Sequence, residues 1–227
     1  MAYILKPPRL LFWGTFFLLS ALSTTIYFSR SQLPPSIPIS TRGDPTLGYA
    51  KARVHVVVFE EPKCSHCRIF NADIFPVIKK EFIDTNKIRY TIVPVSFLPG
   101  SMPAAIATLC VYYENSLYPN DTLFFKYLDY IYQHQTIEKV DWSTPEKLVE
   151  FAQATSPAIE LKKLKTCIER ESYRVQIEKN TEYGQEVMGG TLITPAVFVN
   201  GIRLKDISLE EVRKLIKEVL DHEGVYD

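Results

Sequence analysis

Residues 53–67 read RVHVVVFEEPKCSHC, and this stretch holds a strand followed at once by two cysteines three positions apart. The Val-rich part, 53–60, has the length and β-branched composition of a central strand covered on both faces. A proline then ends the strand, and apolar residues recur at helical spacing over 64–82, where Pro76 predicts a kink. A second strand is predicted at 88–97. The order strand, helix, strand indicates a parallel βαβ unit.

The rest of the chain divides into a helical block and a second group of strands. Residues 101–183 have no strand signal, and their helical periods predict about four helices. A strand follows at 195–200, and an Asn-Gly turn leads into a return strand at 202–207. A capping box then opens a last helix that runs to about His222. The predicted fold class is α/β, with a helical insertion in a small sheet.

Composition excludes several classes of protein. The 227 residues are 46% hydrophobic and 23% charged, which excludes a disordered or collagen-like chain. Lys+Arg and Asp+Glu both number 26, so the chain lacks the basic excess of nucleic-acid-binding proteins. No nucleic-acid partner is therefore expected.

The N-terminal segment has the pattern of an export signal. Residues 10–28 are apolar and uncharged, with Lys6 and Arg9 before them and Arg30 after them. The run is at the lower edge of the length that spans a bilayer. Residues 1–30 are therefore predicted to be either a cleaved signal peptide or a hydrophobic anchor helix in the inner membrane. Both alternatives place the rest of the chain outside the cytosol.

A linker is predicted after this segment. Residues 31–50 hold four of the 15 prolines, which favour extended chain without a packed core.

Cys64 and Cys67 lie where the Val-rich strand ends and a helix begins. Unpaired N–H groups and the positive end of the helix dipole stabilise a thiolate there, so Cys64 is the candidate nucleophile. His66 adds positive charge that lowers the pKa of this thiol further. Cys67 lies one turn later on the same face and can close onto a mixed disulfide formed at Cys64. The spacing therefore predicts a reversible redox site.

A zinc half-site and an inert structural bridge are the alternatives for this pair. A structural zinc site normally needs two close ligand pairs, whereas Cys110 and Cys167 are 57 residues apart. Neither a metal nor a cofactor is therefore expected. An even number of cysteines in an exported chain favours a structural disulfide between Cys110 and Cys167 over two buried free thiols.

The pair Thr194-Pro195 opens the late strand. If its peptide bond is cis, the backbone of Thr194 is uncovered and can pair with an extended substrate beside the dithiol. An ordinary trans proline at the start of an edge strand is the alternative.

Taken together, these features resemble the DsbA-like thiol:disulfide oxidoreductases of the bacterial periplasm, which have the thioredoxin fold. The resemblance rests on the strand, the Cys-x-x-Cys helix start, the helical insertion and the late Thr-Pro strand with its hairpin. Residues 75–89 also look like that family's segment after its first helix. The implied domains are a thioredoxin-like part, 51–100 and 191–224, and a helical insertion, 101–190.

The resemblance implies Cys64 as nucleophile, Cys67 as resolving thiol and Pro195 as a cis proline, with Thr194 contacting substrate. It implies exported cysteine-containing proteins as substrates and a membrane redox partner that restores the site. His66 favours the thiolate while Thr194 tempers it, so we expect a moderate oxidant that forms disulfides in exported proteins. The alternatives are a reductase or isomerase of the same fold, and a chaperone-like peptide-binding module.

Two positions depart from the family pattern. Many relatives carry a buried acid six residues before the first cysteine, where this chain has Val58. Glu60 and Glu61 are predicted to be a solvated pair at the strand end rather than a substitute for that acid. Ile193 stands where glycine often precedes Thr-Pro, and residues 188–192 lengthen the loop before it, so the groove beside the site is expected to differ in shape.

Overall fold

The computed structural model describes residues 33–136 and 140–224. The predicted signal or anchor, 1–30, lies outside the described residues. Within the part that is described, no helix combines the length and the apolar character needed to cross a membrane.

A mixed sheet forms the centre of the described chain, with the strand order β1-β3-β2-β4-β5. The strands are β1 Thr46–Gly48, β2 Val54–Glu60, β3 Ile88–Pro94, β4 Ala196–Val199 and β5 Ile202–Arg203. Strand β2 runs parallel to β3 and antiparallel to β4, and it is buried along almost its whole length. The Val-rich stretch is therefore the central strand, as its composition predicts. The return strand, predicted over 202–207, ends earlier, at Arg203.

Helices cover the sheet and fill the insertion between β3 and β4. They are α1 Ser65–Asp73, α2 Phe75–Ile78, a π-helical turn Lys79–Ile83, α3 Met102–Tyr112, α4 Asp121–His134, α5 Pro145–Thr155, α6 Leu161–Glu169, α7 Arg174–Val187 and α8 Leu209–His222. The described part of the insertion has five helices where about four are expected from the periodicity. The additional break falls between α6 and α7, where Glu171 has a left-handed backbone with φ 50°.

The kink predicted at Pro76 is a complete break. Helix α1 ends at Asp73, and Pro76 occupies an early position of α2. Proline lacks the N–H that a continuous helix would use, and its ring clashes with the carbonyl four residues earlier. It is therefore accommodated only in the first turn of a new helix.

Part of the predicted linker, 31–50, is built into the fold instead. Residues 46–48 form the edge strand β1, which pairs antiparallel with β3. The Ile37 N–H donates to the Gly201 carbonyl at 3.0 Å, and Ile39 packs against the core of the sheet. Prolines favour extended chain, but extended chain is also what an open sheet edge pairs with.

The two faces of β2 serve different purposes. Val57 and Phe59 pack with Val93 and Phe198 in a hydrophobic cluster that α7 covers. Because side chains alternate along a strand, Val58 and Glu60 share the opposite face. This second face ends where the dithiol begins.

A disulfide joins Cys110 of α3 to Cys167 of α6, with sulfurs 2.05 Å apart and Cα atoms 6.1 Å apart. The two helices that it connects are neighbours in the insertion.

Replacing both Cys110 and Cys167 with alanine is expected to lower the free energy of unfolding. The bridge closes a loop whose ends are 57 residues apart in sequence. Closing such a loop restricts the unfolded chain and is worth about 2–4 kcal/mol. Urea unfolding would measure the loss, with wild-type protein in which only Cys64 and Cys67 are reduced as the control. Equal stability of the double variant and this control would contradict the expectation.

Candidate active site

Cys64 occupies the N-cap of α1, directly after the turn that follows β2. Its backbone is extended, with φ −71° and ψ 124°, and its N–H donates to the Glu61 carbonyl at 3.0 Å. Cys67 follows one turn into the helix. Both thiols are free; Cys67 is fully buried, and Cys64 is 6% exposed. Only Cys64 is therefore accessible to another molecule.

The two thiols have pKa values shifted in opposite directions. The pKa of Cys64 is lowered to about 5, chiefly because the Cys67 thiol hydrogen-bonds to its sulfur; Thr194 and the backbone N–H groups of Cys67 and His66 also lower it, against the effect of burial. Burial raises the pKa of Cys67 well above its usual range. At neutral pH the pair therefore consists of a Cys64 thiolate and a Cys67 thiol. His66 acts through its backbone N–H here, rather than through the imidazole charge that the sequence suggests.

The late strand meets the dithiol at Thr194 and Pro195. The peptide bond between them is cis, and the Thr194 carbonyl oxygen lies 3.5 Å from the Cys64 sulfur. Thr194 is itself buried. These contacts bring together residues that are 130 positions apart in the sequence.

The prediction that Glu60 and Glu61 form a solvated pair is wrong. Glu60 is 1% exposed and Glu61 is fully buried. The Tyr132 hydroxyl donates to Glu60 Oε2 at 2.8 Å, and the Lys63 N–H donates to Glu61 Oε2 at 2.8 Å. Burial is the main reason why the pKa of each carboxyl is raised to about 8. Each therefore titrates close to neutral pH instead of remaining ionised.

The physical reason for this correction is that distant parts of the chain cover the strand end. Tyr132 belongs to α4, which packs against α1, and Ser101, the N-cap of α3, lies beside Glu61. Sequence reasoning also missed Lys63, which is buried, and Tyr132. The strand period does hold a signal for Glu60, since residues two apart on β2 share a face and Glu60 follows Val58 by two.

An apolar cavity of about 290 Å³ lies between α1 and residues 193–195, which contain the cis proline and are called the cis-proline loop. Ile69 and Ile193 form its exposed edges, 50% and 54% exposed. This cavity is the groove beside the site that is expected to differ in shape, and Ile193 is one of the residues that line it. In the described parts of the chain, no group of three or more His, Cys, Asp and Glu side chains is arranged to hold a metal ion.

Comparison with known proteins agrees with this geometry. Residues 40–218 match the family described as thioredoxin. The chain is 32% identical over 183 residues to disulfide bond formation protein D of Bacillus subtilis, covering 80% of this chain and 79% of that protein. It belongs to the DsbA-like disulfide oxidoreductases of the thioredoxin fold.

Solved structures of DsbA-like proteins share this fold. The crystal structure of Chlamydia trachomatis DsbA has a TM-score of 0.76 and 36% identity, and the match covers 84% of this chain and 100% of that one. Oxidised BdbD of Bacillus subtilis has a TM-score of 0.74 and 32% identity, over 82% of this chain and 97% of that one. The predicted family, and the α/β thioredoxin fold with a helical insertion, are confirmed for this DsbA-like chain.

Cys64 is expected to react with iodoacetamide much faster than Cys67 in the reduced protein at about pH 6, because the thiolate is the reactive form. The pKa of about 5 leaves Cys64 largely ionised at that pH, whereas Cys67 is protonated and buried. Peptide mapping after short labelling would give both rates. In the Cys64→Ser variant, fast labelling should disappear. Earlier labelling of Cys67 would reverse the assignment of the two thiols.

Proposed function

We propose that this protein forms disulfides in exported proteins, as a periplasmic thiol:disulfide oxidoreductase whose reactive group is Cys64. The observation that carries the proposal is the opposite shift of the two thiol pKa values at one helix start. A strongly stabilised thiolate favours the reduced form of the enzyme, so the enzyme gives its disulfide to a substrate. Residues 1–30, as a signal or a membrane anchor, would deliver it to that compartment.

The oxidising cycle has two exchange steps. A substrate thiolate attacks the Cys64 sulfur, the bond between Cys64 and Cys67 breaks, and its electron pair leaves on Cys67, which takes a proton. A second substrate thiolate then attacks the substrate sulfur of the mixed disulfide. Cys64 leaves as a thiolate, and its low pKa makes it a good leaving group. A membrane redox partner then removes two electrons and restores the enzyme disulfide.

Substrate binding is assigned to the groove and the cis-proline loop. Thr194 places its carbonyl oxygen 3.5 Å from the Cys64 sulfur, so an extended substrate pairing with this backbone would hold its cysteine at the nucleophile. Ile69 and Ile193 offer apolar contact to the residues beside that cysteine. His66 lies at the edge of the same cavity.

Glu60 is proposed as the proton donor to Cys67. It shares the face of β2 on which Val58 lies, and its charge acts directly on the Cys67 thiol. One of its oxygens is held by Tyr132, and the other, Oε1, has no hydrogen-bond partner among the described residues. A buried carboxyl whose pKa is about 8 is still protonated at neutral pH, as a general acid must be.

Turnover of a reduced dithiol peptide, with glutathione disulfide as the terminal oxidant, tests the proposed function. Wild-type protein should form the peptide disulfide, and Cys64→Ser should abolish turnover because no mixed disulfide can form. The Cys110→Ala, Cys167→Ala double variant serves as the control and should keep most of the activity. If the protein were a peptide-binding module, Cys64→Ser would leave its behaviour in this assay unchanged.

Equilibration with glutathione tests whether the enzyme acts as an oxidant or as a reductant. We expect a reduction potential between about −270 and −120 mV, and a value near −270 mV would favour a reductase.

Replacing Glu60 with glutamine keeps the size of the side chain but removes its proton. We expect release of Cys67 from the enzyme disulfide to slow by about tenfold or more. In wild type the rate should fall as pH rises through about 8, since the acid loses its proton there. Rapid-mixing measurements over a pH series would show whether Glu60→Gln removes this fall. Glu186→Gln, which changes an exposed glutamate of α7 in the same way, is the matched control. An unchanged pH profile in Glu60→Gln would exclude the proposed role.

A further inference from the structure

A buried lysine directly precedes the nucleophile. Lys63 is 2% exposed, and its ammonium group donates to the Pro99 carbonyl oxygen at 2.8 Å. A buried ammonium is costly unless an opposite charge lies near it. The proposed cycle of Cys64 and Cys67 gives this lysine no role, so the group that balances its charge in each redox state has to be identified.

Glu61 is a buried carboxyl that is hydrogen-bonded to the backbone of Lys63. It is fully buried, and its Oε2 accepts the Lys63 backbone N–H at 2.8 Å. Its Oε1 has no hydrogen-bond partner among the described residues, so a proton can reside there without displacing a bond. The Lys63 charge and the Ser101 side chain favour the ionised form of Glu61, whereas burial and the charge of Cys64 oppose it.

The charge near Lys63 changes when the disulfide forms. In the reduced protein, the charge of the Cys64 thiolate opposes ionisation of Glu61, so Glu61 stays neutral. In the oxidised protein the sulfur is uncharged and no longer opposes ionisation of Glu61. A carboxylate on Glu61 then balances Lys63.

We propose that Glu61 carries a redox-linked proton, bound when the Cys64 thiolate forms and released when the enzyme disulfide forms, with Lys63 as the fixed positive charge. This inference deepens the proposed function and rests on the cycling of Cys64 and Cys67. Glu61 and Lys63 are positioning residues here, because they act on the reacting sulfur without bonding to it.

The neighbouring titratable groups are less suited to this role. Glu60 faces Tyr132, Tyr90 and Cys67, and the charge of Cys64 raises its pKa as it raises that of Glu61, but no cation favours its ionised form. Because it lacks a positive charge such as that of Lys63, we expect Glu60 to keep its proton in both redox states, apart from its transient donation to Cys67.

Asp141 lies on the other side of Lys63. Both groups lie beside Gly100. A Cβ atom placed on Gly100 would be 3.0 Å from Asp141 Oδ1 and 3.5 Å from the Lys63 ammonium nitrogen. Asp141 is exposed, so water screens its charge in both redox states.

The proton count of the exchange follows from this assignment. Two substrate thiols give two electrons to the enzyme disulfide and lose two protons as their own disulfide forms. One proton is bound by Cys67 and the other by Glu61, while Cys64 remains a thiolate. With Glu61 the exchange releases no net proton; without it, one proton is released.

The equilibrium with glutathione measures this count. The useful interval is about pH 6 to 7.5, which lies above the Cys64 pKa of about 5 and below the Glu61 pKa of about 8 in the reduced protein. Glutathione keeps its thiol proton over this interval. For wild type, the equilibrium constant for reduction by glutathione should stay nearly constant over this interval. For Glu61→Gln it should rise about tenfold for each pH unit, because one proton is then released. Lys63→Met should behave like Glu61→Gln, since Glu61 then stays protonated in both states.

Two further measurements complete the test. Glu186→Gln removes an exposed carboxyl and should leave the wild-type behaviour unchanged. Proton release on reducing oxidised wild type with dithiothreitol, followed with a pH indicator, should be close to zero and needs no variant. A tenfold rise per pH unit in the wild-type equilibrium constant would overturn the proposal. A constant value in Glu61→Gln would also overturn it, as would a rise that is seen in Glu60→Gln and not in Glu61→Gln. Because small thiols reduce the protein, these results stand apart from failure to oxidise substrate proteins.

Discussion

Cys64 has to hold a negative charge while almost no part of it is exposed to water, and the arrangement of the site follows from that requirement. Burial alone would raise the pKa of the thiol. The Cys67 thiol, the Thr194 side chain and the backbone N–H groups at the start of α1 more than offset this effect. These partners require a strand that ends at the first turn of a helix and a second strand that begins beside it. The central position of β2, between β3 and β4, meets both requirements.

Local sequence was sufficient to predict the parts of the site that lie close together in the chain. The Val-rich strand, the helix start and the different environments of Cys64 and Cys67 all depend mainly on residues within one short stretch. Burial of Glu60 and Glu61 does not, because it depends on α4 and on the turn before α3. Those elements are distant from the strand end in sequence, so no local pattern predicts that they cover it. The edge strand β1 was missed for the same reason: extended chain pairs only where the fold leaves a free edge.

If Glu60 is the proton donor proposed above, the strand face on which an acid lies is more informative than its position relative to the first cysteine. The family pattern directs attention to Val58, which cannot take part in proton transfer. Two residues further along β2 the side chain returns to the same face, nearer to the dithiol. There Tyr132 binds one carboxylate oxygen and leaves the other without a partner among the described residues. A search by strand face would have found this carboxyl, whereas a search by fixed spacing does not.

Burying two carboxyls in this place weakens the fold as pH rises. Each has a pKa of about 8 in the folded protein, against an ordinary value of 4.5. Between pH 4.5 and about 8, the folded protein therefore keeps carboxyl protons that the unfolded chain has lost. The contribution of these protonated carboxyls to stability is fully present below about pH 4.5 and is lost as pH rises through about 8. Apolar residues at these two positions would avoid that loss. What the carboxyls offer instead is proton exchange near neutral pH, beside a sulfur whose charge changes in every cycle. The proposed proton exchange with the dithiol would therefore account for the acids at the end of β2, whereas the stability of the sheet does not.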